Sequence, residues 1–464
     1  MTNATATAIA AGVRRGDVTA RRVTEQSLRR IADVNPAINA VVDSLAARAL
    51  ARADRLDAAI RAGQDVGPLA GVPFAVKNLI DVAGVPTLAG SLINRDRPPA
   101  ARDGALVRRL EAAGAILVGT LAMGEYAYDF SGRNAHYGAC RNPHDPSRMA
   151  GGSSSGSGAA VAAGMVPLAL GSDTNGSIRV PSALCGCFGL KPTYGRLTRA
   201  GSFMFVASLD HLGPLARSAA DLALAYDAMQ GHDPDDPACA DRPVAPVSGL
   251  LARGADGLRI AVADGYFARG ADDDALGAVA RVAAALGATA RIEIPEAARA
   301  RAAAFVITAS EGGNLHLPRL RARAGDFDPE TRDRLLAGAL APAAWYVQAQ
   351  RFRRWYQDRV CALFRDVDII LAPSTPCVAP QVDQQTMVID GQTVPVRASL
   401  GIFTQPISFI GLPVVNVPLK SAGGMPVGVQ LIAAPWAEDR ALRVAAELEA
   451  RGICAAPIAE IAHA

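Results

Sequence analysis

Gly151-Gly-Ser-Ser-Ser-Gly-Ser-Gly158, the small-residue run Ala159 to Gly164, and Gly171-Ser-Asp-Thr-Asn-Gly-Ser-Ile-Arg179 form the stretch on which the reading of this chain turns. Two loops of small residues flank a helix-like segment. Glycine reaches backbone conformations closed to other residues, and consecutive N–H groups in such loops converge on an anion. The stretch therefore predicts an anion-stabilising cradle. From Met149 to Ser172 no residue is charged, a run long enough to cross a bilayer. Its glycines and serines leave no continuous apolar surface for lipid, so no membrane association is expected.

Two mechanisms that use such a cradle fail on their neighbours. A phosphate-binding loop needs G-x-x-x-x-G-K-[ST], and no lysine follows Gly158 until Lys191. Gly152-Ser-Ser-Ser-Gly156 matches the G-x-S-x-G nucleophile elbow with Ser154 at its centre. An elbow must follow a buried strand, and Asn142-Pro-His-Asp-Pro-Ser-Arg148 holds two prolines and no apolar run.

Outward from the cradle, Val72, Phe74 and Val76 alternate with Pro73, Ala75 and Lys77, the period of two of a strand, so Lys77 is expected at a strand end. The first 65 residues read as covering helices, with Val23, Leu28, Ile31 and Val34 on one face and a second helical segment from Val42 to Ile60. Helix then strand recurs at Val107 to Ala113 and Ala115 to Val118, and a strand Leu258 to Ala263 precedes a helix Asp273 to Leu286. This alternation predicts an α/β fold with a large mixed central sheet covered by helices on both faces. No linker divides the chain, which reads as one domain over 1–464, with a catalytic core over 66–215 and helical decoration over about 245–300. The aromatic run Trp345 to Phe364 predicts a helix whose aromatic stripe faces the core, ahead of a strand Asp368 to Ala372.

Composition narrows the class. The chain has 464 residues, half of them hydrophobic, and a formal charge of +3. Without a block of like charge it carries no footprint for nucleic acid. Seven scattered cysteines with no C-x-x-C pair read as reduced thiols of a cytoplasmic protein, and Cys185-Gly-Cys187 as packed side chains, not a metal site. The N-terminus lacks the order of a secretory signal. The histidines His136, His144, His211, His232, His316 and His463 are expected to be structural, and no metal or cofactor is expected.

The cradle, Lys77 and the continuation Pro181-Ser-Ala-Leu-Cys-Gly-Cys-Phe-Gly-Leu-Lys-Pro-Thr-Tyr-Gly195 together resemble the amidase-signature enzymes, from Gly71 through Trp436. In that family a lysine ending a strand, a serine directly after a Gly-Gly pair and a second serine in a D-T-x-G-S loop form the catalytic triad. The resemblance implies Lys77 as base, Ser153 as a proton relay on a cis peptide, and Ser177 as nucleophile. Backbone N–H groups of Thr174, Asn175, Gly176 and Ser177 would form the oxyanion hole, with Ser154, Asp173 and Arg179 supporting the loops. The chemistry fits the residue types: an amide carbonyl is a poor electrophile and needs an activated nucleophile and aimed donors. Lys77 must then be neutral, which burial among hydroxyls would achieve.

Two positions depart from common forms of the family pattern. Ser155 replaces a glycine of the first loop, and Asn175 stands where Asp-Thr-Gly-Gly-Ser has glycine, a place asparagine tolerates better than most residues. The segments Val76-Lys-Asn-Leu79, Thr87-Leu-Ala-Gly-Ser91, His136-Tyr-Gly138, the Asp173-Thr-Asn-Gly-Ser177 loop, Ile307-Thr-Ala-Ser-Glu-Gly-Gly313 and Gly428-Val-Gln-Leu-Ile-Ala-Ala-Pro-Trp436 resemble a branch that hydrolyses small urea-like amides, releasing ammonia. Members of that branch work with a small helical companion subunit, and Ala-rich segments such as Ala278 to Ala288 are expected to leave apolar surface for such a partner or for a second copy. The alternatives are a glutaminase component of a tRNA-dependent amidotransferase and a non-catalytic scaffold.

Overall fold

In the computed structural model, which describes residues 4–461, the N-terminal segment folds into α1 (Ala6–Arg15), α2 (Ala20–Ile38) and α3 (Ala46–Arg61). Thr5 and Thr19 cap the first two by accepting from the N–H groups of Ala8 and Arg22, donors that a helix start leaves free. Val42, read as helical, lies instead in a short strand β1 (Val41–Ser44). His463 falls outside the described residues.

The core is laid down by β2 (Pro73–Lys77), α4 (Ala105–Ala112) and β3 (Ile116–Leu121), a small hairpin of β4 (Arg141–Asn142) and β5 (Asp145–Met149), then α5 (Ser155–Ala162) and β6 (Leu168–Asp173). The strands β2, β3 and β6 are buried at every residue, which fits their continuous apolar content. After them come α6 (Arg179–Cys185), β7 (Phe188–Lys191), β8 (His211–Ala216) and α7 (Ala219–Met229).

Residues 245–300, expected as helical decoration, add two strands to the sheet: β9 (Ile260–Asp264) and β10 (Ala290–Glu293) pair in parallel on either side of α8 (Asp273–Leu286). Ala278, Val279, Val282 and Ala283 of α8 are buried, so its apolar side faces inward and is not the open surface expected there. The chain continues through α9 (Ala297–Arg323), α10 (Pro329–Ala339) and α11 (Ala343–Leu363). On α11 the aromatic stripe is split: Tyr356 is fully buried beside Phe409, whereas Trp345 and Trp355 are 61% and 41% exposed. The expectation that the whole stripe is core is corrected. Strand β11 (Ile369–Pro373) and a hairpin of β12 (Thr386–Ile389) and β13 (Gln392–Pro395) follow, then α12 (Val396–Ser399), α13 (Gln405–Ser408), β14 (Val414–Lys420), β15 (Pro426–Ala433) and α14 (Glu438–Ala450).

Eleven strands form the central sheet in the order β1-β3-β2-β6-β8-β7-β14-β15-β11-β9-β10. It is mixed, as expected: β3-β2-β6 and β11-β9-β10 are parallel, and the strands between them run antiparallel. Because β2 and β6 are parallel neighbours, with Val76 opposite Leu170, their C-terminal ends deliver Lys77 and Asp173 to one edge of the sheet, where α/β folds commonly carry chemistry. Among the described residues no helix is long and apolar enough to cross a membrane.

Candidate active site

Lys77 ends β2 with no exposed surface, and its Nζ lies 2.6 Å from Ser153 Oγ, 2.9 Å from Ser172 Oγ and 3.1 Å from Ser154 Oγ. Among the described residues it makes no ion pair with a carboxylate. Burial pulls its ammonium down to about 7, against the weaker pull of Asp210, Asp173 and Asp129 toward the charged form. The three hydroxyls are not equivalent. Ser154 Oγ donates to the Ser172 carbonyl and accepts from the Ser172 N–H, both at 3.1 Å, so its proton is committed and it fixes the loop. Ser153 and Ser172 bond only to Lys77 and keep mobile protons. Ser153 follows a cis peptide from Gly152. The close fit of β6 under this group needs Gly171, where an added Cβ would stand 2.8 Å from Ser154 Oγ.

Ser155 opens α5 with ordinary negative φ, donating to the Ala122 carbonyl at 3.2 Å. The helix start accepts a side chain there, so the missing glycine distorts nothing.

The second loop leaves β6 and enters α6. None of the backbone N–H groups of Thr174, Asn175, Gly176 and Ser177 finds an acceptor within the described protein, which leaves four donors free for a ligand. Gly176 has φ of 140°, and a Cβ there would sit 2.1 Å from Thr404 Oγ1; that hydroxyl donates to the Asn175 carbonyl at 2.7 Å. Arg179 braces the loop from below. Its guanidinium makes two 3.0 Å bonds to the Asp173 carboxylate, both residues fully buried, and reaches Gln430 Oε1 at 2.6 Å. Ser408 Oγ and the Ile178 N–H complete the Asp173 shell. Burial opposes ionisation of Asp173, but Arg179 overcomes it and holds the carboxyl well below the usual carboxylate range. The pair is a paired buried charge that fixes one loop geometry.

Ser177 is 2% exposed, and its Oγ makes no hydrogen bond among the described residues. Its carbonyl accepts from the Ser154 N–H at 3.3 Å, which ties the two loops together. The expected relay is thus half in place: Ser153 bonds to Lys77, and no hydrogen bond joins Ser153 to Ser177. Catalytic bonds of this kind commonly tighten only on substrate binding. Sequence reading missed Ser172, although it directly precedes the Asp-Thr-Asn-Gly-Ser loop. It also gave no role to Thr308 and Gln430, although both lie in segments singled out above, nor to Thr404 and Ser408; all four reach the loop from more than a hundred residues away. A cavity of about 640 Å³ under the β12–β13 hairpin includes none of these residues, so side-chain chemistry and not cavity size locates the site. No group of three metal-ligating side chains occurs among the described residues.

Known proteins match this arrangement over most of the chain. Residues 22–442 match the amidase family. The 1-carboxybiuret hydrolase AtzE of Pseudomonas sp. (strain ADP) is 54% identical over 95% of this chain and 97% of its own. A glutamyl-tRNA(Gln) amidotransferase component of Chloroflexus aurantiacus is 38% identical over 95% of each chain. A solved inhibitor-bound structure of an s-triazine catabolic enzyme in a vestigial protein complex superposes with a TM-score of 0.96 at 53% identity, covering 97% of this chain and 99% of that one.

Proposed function

This chain belongs to the amidase family and hydrolyses amides, and from that premise we propose that it cleaves a small urea-like substrate of the 1-carboxybiuret type with Ser177, Ser153 and Lys77. The observation that carries the reading is Lys77: buried, 2.6 Å from Ser153 Oγ, without a carboxylate partner and drawn down to about 7. A lysine in that state accepts a proton near neutral pH. Ser177 Oγ attacks the carbonyl carbon as its proton passes through Ser153 to Lys77, and the N–H groups of residues 174 to 177 receive the oxyanion. Return of the proton to the leaving nitrogen releases ammonia and leaves an acyl-Ser177. Water, deprotonated along the same path, frees the acid and restores the hydroxyl, so each turnover consumes one water per amide bond.

The likeness to AtzE at 54% identity favours a ureido substrate over glutamine, whose amidotransferase relatives stand at 38%. A small helical companion subunit belongs to the same proposal, supported by the complex in which the similar structure was solved. So does a cytoplasmic location, supported by seven free cysteines.

Ammonia release from 1-carboxybiuret, from biuret and from L-glutamine tests the reading, with and without co-expressed small helical proteins. Wild type is expected to release ammonia from the ureido compounds. Ser177→Ala is expected to lose about 10⁴-fold or more in kcat while remaining folded. Turnover of glutamine alone would transfer the reading to a glutaminase, and normal turnover by Ser177→Ala would remove the nucleophile.

A further inference from the structure

The loop that carries Ser177 also carries a buried acceptor with nothing to accept. Asn175 is 7% exposed and immobilised at two points: its Nδ2 donates to Thr308 Oγ1 on α9 at 2.8 Å, and its main-chain carbonyl is held by Thr404. Its Oδ1 has no hydrogen-bond partner. Buried polar atoms are almost always paired, and one that is not calls for a reason. Loop architecture is not the reason, because the common Asp-Thr-Gly-Gly-Ser form of this loop has no side chain at the position. Nor is the amide idle, since its Nδ2 is engaged by Thr308.

We propose that Asn175 Oδ1 accepts a hydrogen bond from an N–H flanking the scissile carbonyl on its acyl side, so that Asn175 selects ureido substrates over carbon-linked carboxamides. The inference rests on the function proposed above. Asn175 stands two residues before Ser177 in a tight loop, so the part of a substrate within its reach is the group beside the attacked carbonyl. On the acyl side of that carbonyl R–NH–CO–NH₂ has an N–H donor, whereas R–CH₂–CO–NH₂ has a methylene that offers Oδ1 nothing. Sites built to bond a polar group reject analogues lacking it more strongly than apolar pockets reject size changes. The N–H is retained through hydrolysis: water and R–NH–CO–NH₂ give the carbamic acid and ammonia, and the contact changes no bond.

Biuret and malonamide differ only in an NH against a CH₂ between their two carbonyls, and the ratio of their kcat/KM values reads the contact. Wild type is expected to prefer biuret by tenfold or more. Asn175→Gly is expected to lower that preference at least tenfold, and Thr308→Val, which only frees the asparagine amide, to lower it severalfold in a chain with its loop backbone unchanged. A preference that survives both substitutions overturns the inference, and so does a wild type that favours malonamide or cleaves neither compound. If wild type also fails on 1-carboxybiuret, the proposed function falls with it.

Discussion

Lys77 and Lys191 are both fully buried, and burial draws both down to about 7. Their surroundings differ in kind. Lys77 meets three serine hydroxyls, two of which have no other partner. Lys191, at the end of β7, donates to the main-chain carbonyls of Leu412 and Pro192 and lies 3.4 Å from His211 Nε2; Arg179 pushes it further down, and Asp173 and Glu438 pull it back. Carbonyl oxygens hold no proton to pass on, and burial keeps His211 neutral with its Nδ1 on the Asp173 carbonyl, so its Nε2 only accepts and Lys191 pins the chain. A perturbed lysine therefore does not identify a base by itself. The hydroxyls around Lys77 and the carbonyls around Lys191 are what separate the two.

Activity offers the largest contrast. Lys77→Arg keeps the charge and removes the proposed base, because a guanidinium stays protonated, and it is expected to cost about 10³-fold or more in kcat/KM. Retention of more than about a tenth of the wild-type rate, a loss under ~1.4 kcal/mol, would break the comparison on the Lys77 side.

Stability should separate the two lysines in sign. Replacing Lys77 by Met removes the burial cost of an amine that no carboxylate pairs, and is expected to raise stability by about 1–3 kcal/mol in denaturant titration at pH 7. Lys191→Met leaves buried carbonyls unpaired and is expected to lower it by about 1–3 kcal/mol while turnover persists. Both lysines are depressed from 10.5 in the unfolded chain to about 7 in the folded one. Between those values the unfolded state binds more protons, so wild-type stability rises with pH across that window and is flat below it for these groups. Each Met variant should remove one proton's worth of that slope, and equal slopes in wild type and variant would refute the burial account.

The smallest effect concerns the hydroxyl that sequence reading overlooked. If the base is neutral Lys77, kcat/KM rises about tenfold per pH unit below about 7 and then levels. Ser172 accepts from the ammonium and so favours the charged form, and Ser172→Ala is expected to move the inflection down by a fraction of a unit. An upward movement would show that Ser172 does not help to hold the charge.

What the sequence revealed and what it hid divide along chain distance. Lys77, Ser153 and Ser177 stand in local patterns, a strand end and two small-residue loops, and the helix Asp273 to Leu286 is bounded as read because its ends carry Asp272 as a cap and Gly287 in left-handed conformation. Thr308 and Thr404 sit in segments whose own periodicity speaks only of helix and loop, and their bonds to Asn175 follow from tertiary packing. Strands β1 and β10 are four residues each, too short for alternation to register. Trp345 and Trp355 escape the core because α11 buries only one narrow side.

The sheet order also sets a schedule. Strands β14 and β15 are inserted between β7 and β11, not added at an edge, and the Asp173–Arg179 pair gains its outer partners Ser408 and Gln430 only from that late part of the chain. A growing chain emerging from the ribosome thus displays Lys77, Ser153 and Ser177 long before it owns the parts that hold their loops. A polypeptide cut before Thr404 lacks these outer supports of the loop and is expected to be inert, not a poorly selective hydrolase.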